Sequence, residues 1–134
     1  MSLEDNKTVA RRYLEEAVAQ GNLDVIDTSF APNVVVHYPN TPPHSHAGLR
    51  RQMQEIQQAF SDPSITIHEI IAEGDTVVVR QSYAGTHHSQ FGNNPPKGQV
   101  QMEWICVFHF EQGKVTEAWF SHEGANLDFS SFGQ

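Results

Sequence analysis

The chain is poor in cysteine, in basic residues and in long apolar runs, and each shortage removes a class of protein. A single cysteine, Cys106, in 134 residues cannot pair within the chain. No disulfide framework is expected, and a reducing cytoplasm is the expected location. No basic segment leading into an apolar one opens the sequence as a secretion signal would, and no run approaches the roughly eighteen apolar residues of a membrane span. Eight basic residues against sixteen acidic ones leave a net charge of -8. That balance opposes nucleic acid and anionic membrane surfaces as partners. There is no glycine-rich phosphate cradle and no nucleotide fingerprint. His44 and His46 form an H-x-H pair on a proline-rich loop without a nearby cysteine or carboxylate, so neither a metal nor another cofactor is expected.

What is present is centred on Val100 to Glu123, VQMEWICVFHFEQGKVTEAWFSHE. Two runs rich in Trp, Phe, Val and Ile flank Glu111-Gln112-Gly113, which reads as a hairpin. Alternation places Met102, Trp104, Cys106, Phe108 and Phe110 on one face, with Glu103, Ile105, Val107 and His109 on the other. On the return strand Ala118, Phe120 and His122 share a side, opposite Glu117, Trp119 and Ser121. His122 is then expected in the same interior as Trp104 and Cys106.

Elsewhere, Val9, Ala10, Tyr13, Leu14, Ala17 and Val18 recur at helical steps between Asp5 and Gln20, before a Gly21-Asn22 stop. A second, shorter helix carries Leu23, Ile26 and Phe30 inward and breaks at Ala31-Pro32-Asn33. Val34 to Tyr38 is a short strand. A third helix presents Leu49, Met53, Ile56 and Phe60 and ends at Asp62-Pro63. Two alternating runs, Ile65 to Ala72 and Thr76 to Thr86, meet at Glu73-Gly74-Asp75, with Val77, Val79, Gln81, Tyr83, Gly85 and His87 facing inward on the second. Ser89 to Gly98 is a mouth loop. At this length one domain over 1–134 is expected. Its class is α+β, a curved, mostly antiparallel sheet wrapped around three N-terminal helices as a cone-shaped barrel.

The segments NKTVARRYLEEAVAQGN (from Asn6), Phe30-Ala31-Pro32, Ala72-Glu73-Gly74-Asp75, Gly85-Thr86-His87, Pro95-Pro96-Lys97-Gly98 and FEQGKVTEAW (from Phe110) resemble SnoaL-like polyketide cyclases. These belong to the nuclear transport factor 2-like superfamily, which includes ketosteroid isomerase. The resemblance spans nearly the whole chain and implies the cone fold, a cofactor-free site for a small hydrophobic molecule, and a homodimer. It also exposes departures. The strand position that carries a catalytic Asp in such cyclases is Phe120 here. Cys106 stands where relatives tend to have Asp, and Tyr38 aligns with the proton-moving Asp of ketosteroid isomerase. Tyr13 matches that enzyme's oxyanion Tyr, and His87 is retained.

Three residues are therefore candidates for catalysis. His122 is either a general base next to a carbonyl or a strand-end histidine bonded to backbone or water. Tyr13 is either an oxyanion donor or a core residue, and His87 is an inward polar group that needs a partner. Tyr38, Met53, Phe60, Tyr83, Trp104, Cys106, Phe108, Ala118 and Phe120 are the expected pocket wall. Two functions follow: cofactor-independent proton transfer beside a carbonyl in a small hydrophobic substrate, in the manner of a cyclase or isomerase, or a non-catalytic small-molecule-binding or stress-associated domain of the same fold. The apolar face with Ile105, Val107 and Trp119 is the expected dimer contact.

Overall fold

A computed structural model describes residues 2–128; the domain read over 1–134 also takes in positions 1 and 129–134, which lie outside the described residues. The first helix, α1 (Leu3–Arg12), starts with a capping box in which the Ser2 hydroxyl accepts from the Asp5 N–H and the Asp5 carboxylate accepts from the Ser2 N–H. Glu4 and Asp5 in its first turn and Arg11 and Arg12 in its last complement the helix dipole. It continues as a π-helical stretch, Tyr13–Val18, that buries Tyr13, Leu14 and Ala17. Widened turns of this kind occur often at functional sites. Gly21, at φ 77, takes the left-handed conformation that ends the helix.

Helix α2 (Asp24–Ser29) leads directly into strand β1 (Phe30–His37). The expected break at Ala31-Pro32-Asn33 is instead part of the strand. Because β1 is the sheet's edge strand, paired with β5 (Lys114–Glu123) on one side and bridged to His44 at Val36 on the other, Pro32 is tolerated in it, and it falls where the register shifts between Phe30 and Val35. Helix α3 (His46–Ala59) is capped by Ser45. It stops one residue before Phe60, and strand β2 (Phe60–Glu73) runs straight through Asp62-Pro63 rather than starting after it. Asp62 sits at φ 52 and the pairing skips between Ser61 and Ser64, so this edge strand holds its proline in a bulge. Strands β3 (Thr76–His87) and β4 (Gly98–Glu111) complete a five-stranded sheet in the order β1-β5-β4-β3-β2. All pairings are antiparallel except β1 with β5. Gln112 (φ 51) and Gly113 (φ 80) make the tight turn between β4 and β5, both with the positive φ that matches strand twist.

The alternation read from the sequence holds. Met102, Cys106, Phe108 and Phe110 are buried while Glu103, Ile105 and His109 are exposed. The curved sheet wraps the helices as the expected α+β cone. At its centre Tyr13, Phe30, Phe108 and Phe120 meet mostly edge to face, with ring centroids 5.0 to 6.3 Å apart. Each such pair adds about 0.5–1.5 kcal/mol beyond the apolar area it buries. The loop after β3 is more ordered than its composition suggests. Phe91 and Asn94 pair their backbones, and the Asn94 side chain binds both the N–H and C=O of Asp128. Phe91 is thereby held down against Phe60, with ring centroids 5.7 Å apart.

Candidate active site

The inward rows of the sheet and the inner faces of α1 and α3 do not quite meet, and a void of about 50 Å³ remains. That is room for a few waters; a ring-sized ligand needs about 150 Å³ and enters only if the walls, which include the unbranched Met53 and Met102, give way. The helices contribute Tyr13, Leu14 and Val18 from one side and Gln52, Met53 and Ile56 from the other. The sheet contributes Gln81, Tyr83, Met102, Trp104 and Phe120, while Tyr38, Phe60, Ile65 and Phe91 close the remaining sides. Val18, Ile56, Phe60 and Tyr83 also line a surface groove of about 370 Å³ between the ends of α1 and α3 and the start of β2. The groove therefore neighbours the void across these four side chains. Gln57 spans its rim, donating to the Gly21 carbonyl at 2.8 Å.

The polar atoms facing this void are all uncharged. Among the described residues the Tyr13 hydroxyl bonds to the Met53 sulfur, at 3.8 Å. Gln81 donates to Cys106 Sγ at 3.3 Å, which leaves its Oε1 without a partner. The Tyr83 hydroxyl likewise has no partner among the described residues. Gln52 faces the Tyr38 hydroxyl, yet neither amide atom closes a hydrogen bond of normal geometry. Gly85 gives the Tyr83 ring its space, since a Cβ there would stand 3.2 Å from the Tyr83 hydroxyl.

Burial keeps these groups neutral. Loss of hydration holds the Tyr13 and Tyr38 phenols well above their ordinary value and raises Tyr83 to about 12. The Cys106 thiol is pushed up to about 12 by the same cause, only partly opposed by Gln81. It is a buried thiol and not a thiolate nucleophile. Among the described residues no set of three or more His, Cys, Asp or Glu side chains is placed to hold a metal.

The structure places the predicted residues in three shells. Tyr13, Tyr38, Met53, Phe60, Tyr83, Trp104 and Phe120 line the void. Cys106, Phe108 and Ala118 are wholly buried and do not line it. The two candidate histidines lie outside. His87 is stacked on Phe60, with centroids 4.6 Å apart and planes at 12°, and its pKa is lowered by burial, which the Ser89 backbone partly offsets. His122 packs on Trp104 at 4.6 Å and faces a groove on the other side of that ring, beside Glu103, Ser121 and Glu123. Desolvation lowers its pKa too. Trp104 lines both spaces and so forms the partition between His122 and the void.

Gln52 and Gln81 were not among the residues singled out from the sequence. The signal was there: Gln81 interrupts the inward row of β3, and Gln52 falls on the apolar stripe of α3, three residues after Leu49 and four before Ile56.

A cone of five strands over N-terminal helices, closed around an apolar void, defines the nuclear transport factor 2-like class. Within that class, residues 8–127 match the family model described as SnoaL-like polyketide cyclase, and the chain belongs to that family. AclR, a hydroxylase candidate from Streptomyces galilaeus, superposes with a TM-score of 0.80 at 25% identity over 91% of each chain. IdmH, a polyketide cyclase candidate from Streptomyces antibioticus, gives 0.75 at 26% identity over 92% of this chain and 93% of its own. TsrD from Streptomyces laurentii gives 0.81 at 19% identity over 92% and 91% of the two chains, a likeness of fold alone. No curated protein sequence matches the chain significantly.

Proposed function

We propose that the chain is a cofactor-independent enzyme of the cyclase or isomerase type, moving a proton on the carbon beside a carbonyl in a small hydrophobic substrate. The observation that carries this reading is that Tyr13, Tyr38, Tyr83 and the amides of Gln52 and Gln81 all line one largely apolar void. A neutral phenol in a water-poor site is a strong donor to an oxygen that gains negative charge, and it needs no reorganisation when the charge forms. Tyr13 is the first such donor. His122 is the proposed base; because it lies outside the void behind Trp104, the reacting carbon has to extend beyond that ring to meet it, and its lowered pKa favours the neutral imidazole at pH 7. His87 acts at one remove by seating Phe60. The test is solvent deuterium exchange at the carbon beside the carbonyl of small cyclic ketones, followed by NMR. His122→Gln is expected to lower the exchange rate by about 10²–10⁴-fold, the usual contribution of a positioned acid–base group. Unchanged exchange in that variant would remove His122 from the mechanism.

A second reading is favoured by one feature: the void's own lining is neutral, its three phenols all being held above their ordinary values. On that reading the chain holds a hydrophobic small molecule without transforming it, and ketones that bind would show no enzyme-dependent exchange.

The working unit is a homodimer, in a reducing cytoplasm that suits the lone, buried Cys106. The outer sheet face displays Ile105 at 50% and Ile71 at 56% exposure, with Val107 and Trp119 half-buried between β3 and β1. Large apolar groups so displayed favour a covering partner. Trp119→Asp is expected to dissociate the dimer more than Trp104→Asp does, as sedimentation can measure. Equal dissociation, or a native monomer at micromolar concentration, would refute the pairing.

A further inference from the structure

Among the described residues, four buried polar atoms around one small void lack a partner of normal hydrogen-bond geometry: both amide atoms of Gln52, which face the Tyr38 hydroxyl without closing such a bond, Oε1 of Gln81 and the Tyr83 hydroxyl. Their residues are buried to 1%, 3% and 4% exposure. Orphaned groups at that depth are costly and uncommon, and they mark a place where something outside the protein completes the bonding. They also have a shared character. Gln52 offers a donor and an acceptor, Gln81 an acceptor and Tyr83 either, while among the described residues no Asp, Glu, Lys, Arg or His lines the void.

From this we infer that Gln52, Gln81 and Tyr83 are the specificity-determining residues of the site, and that they select an uncharged ligand carrying a donor and an acceptor on an apolar body. A carboxylate or ammonium of the same shape would enter without a counter-charge, and an unpaired ion in such surroundings is disfavoured far more than an unpaired dipole. A purely apolar ligand would leave the four atoms unmet. Met53 and Met102, both unbranched, let the walls adjust around a ring. The inference rests on the binding site proposed above, and it adds the ligand's charge and hydrogen-bonding class.

The matched probes are benzamide, benzoate and toluene, which share a ring and differ in polar group. Both Met53 and Met102 line the void, so their ¹³C-labelled methyl signals in NMR report its occupancy directly. Benzamide at pH 7 is expected to shift both methyls saturably and to bind at least 30-fold more tightly than benzoate. Gln81→Leu and Gln52→Leu should each weaken benzamide at least tenfold while toluene binds as well as before or better. Gln81→Leu gives up the amide's contact with Cys106 Sγ and Gln52→Leu its approach to the Tyr38 hydroxyl, so each variant's melting is measured alongside, and toluene binding that is kept or improved shows that the folded site survives and that loss of benzamide is not unfolding. Benzoate binding as tightly as benzamide, or glutamine variants that keep native benzamide affinity, would overturn this inference and leave the site itself standing. If none of the three probes moves either methyl, the void admits no ligand, and both the inference and the proposed function fail.

Discussion

The two faces of the same sheet are built on opposite electrostatic terms. Inward, β3 and β4 present Gln81, Tyr83, Trp104 and Cys106, all neutral and deeply or half-buried. Outward, the alternate residues of the same strands form charge-bearing pairs. His68 and Glu103 both bond to the Ser82 hydroxyl at 2.6 Å, and Arg80 meets Glu69 at 2.7 Å. At the sheet's other end His37 meets Glu117 at 2.7 Å and stacks on Trp119. One step along the chain thus moves a side chain from a dry interior to a hydrated surface. The lesson concerns chemistry: a site lined this way acts by neutral hydrogen bonding, and any ionisable group must reach it from the rim, as His122 would past Trp104. Cutting into either face should therefore give very different losses.

The largest loss is expected on the inner face. Phe108 is wholly buried and touches Tyr13, Phe30 and Phe120 through its ring. Phe108→Ala removes those contacts and leaves a cavity, so urea unfolding should show a destabilisation of about 3–5 kcal/mol. Glu103→Gln, one strand away on the outer face, should fall within about 1 kcal/mol of the native chain. Comparable losses from the two would mean that the faces are not as distinct as their lining indicates.

A smaller effect sharpens the contrast through pH. His44 and His87 are each 1% exposed, and loss of hydration lowers both pKa values, with Arg51 adding to the effect at His44. The unfolded chain takes up protons on these rings near the ordinary value of about 6.5, whereas the folded chain does so only at lower pH. Between those limits the unfolded state binds more protons, so stability is full above the unfolded value and declines as pH falls through the window. The slope is at most about 1.4 kcal/mol per pH unit for each ring. Urea midpoints between pH 7.5 and 5 should fall accordingly, and His44→Phe should remove one ring's share. An unchanged slope in that variant would show that His44 is charged in the folded state.

The contrast between faces was largely legible beforehand, because strand alternation is a local rule that burial enforces. Trp104 in and Glu103 out, or Gln81 in and Arg80 out, needed only the period of two. Edge effects were harder to read. Pro32 and Pro63 look like breakers in sequence, but an edge strand has one row of donors with no partner to miss, and a bulge absorbs the rest. The site was legible in its apolar wall and in Tyr13 but not in its polar core. Gln52 and Gln81 carry no titratable group and fit no catalytic motif; only their burial beside a void without partners gives them meaning, and that is a property of the assembled fold. For the same reason the depth of the interior could not be seen from parity alone. His122 is on the inward row, yet it lies beyond Trp104 at the end of β5.

The smallest expected effect is on the outer face, and it tests what covers that face. The Arg80 and Glu69 side chains are 49% and 53% exposed in the single chain, close to the surface regime in which an ion pair loses to hydration and side-chain entropy most of what it gains. A double-mutant cycle with Arg80→Ala and Glu69→Ala should give a coupling of about 0.2–1 kcal/mol, and raising salt from about 0.05 to 1 M should erode it as the Debye length shrinks to about 3 Å. Ile105 is the Cα partner of Arg80 across the strands, so a second copy seated on the apolar band would take this pair out of water as well. Measured at a concentration where sedimentation shows a dimer, a coupling above about 2 kcal/mol that survives salt would place Arg80 within the contact. A weak, salt-sensitive coupling in the same dimer would confine the contact to the side of the face around Trp119 and leave Arg80 in solvent.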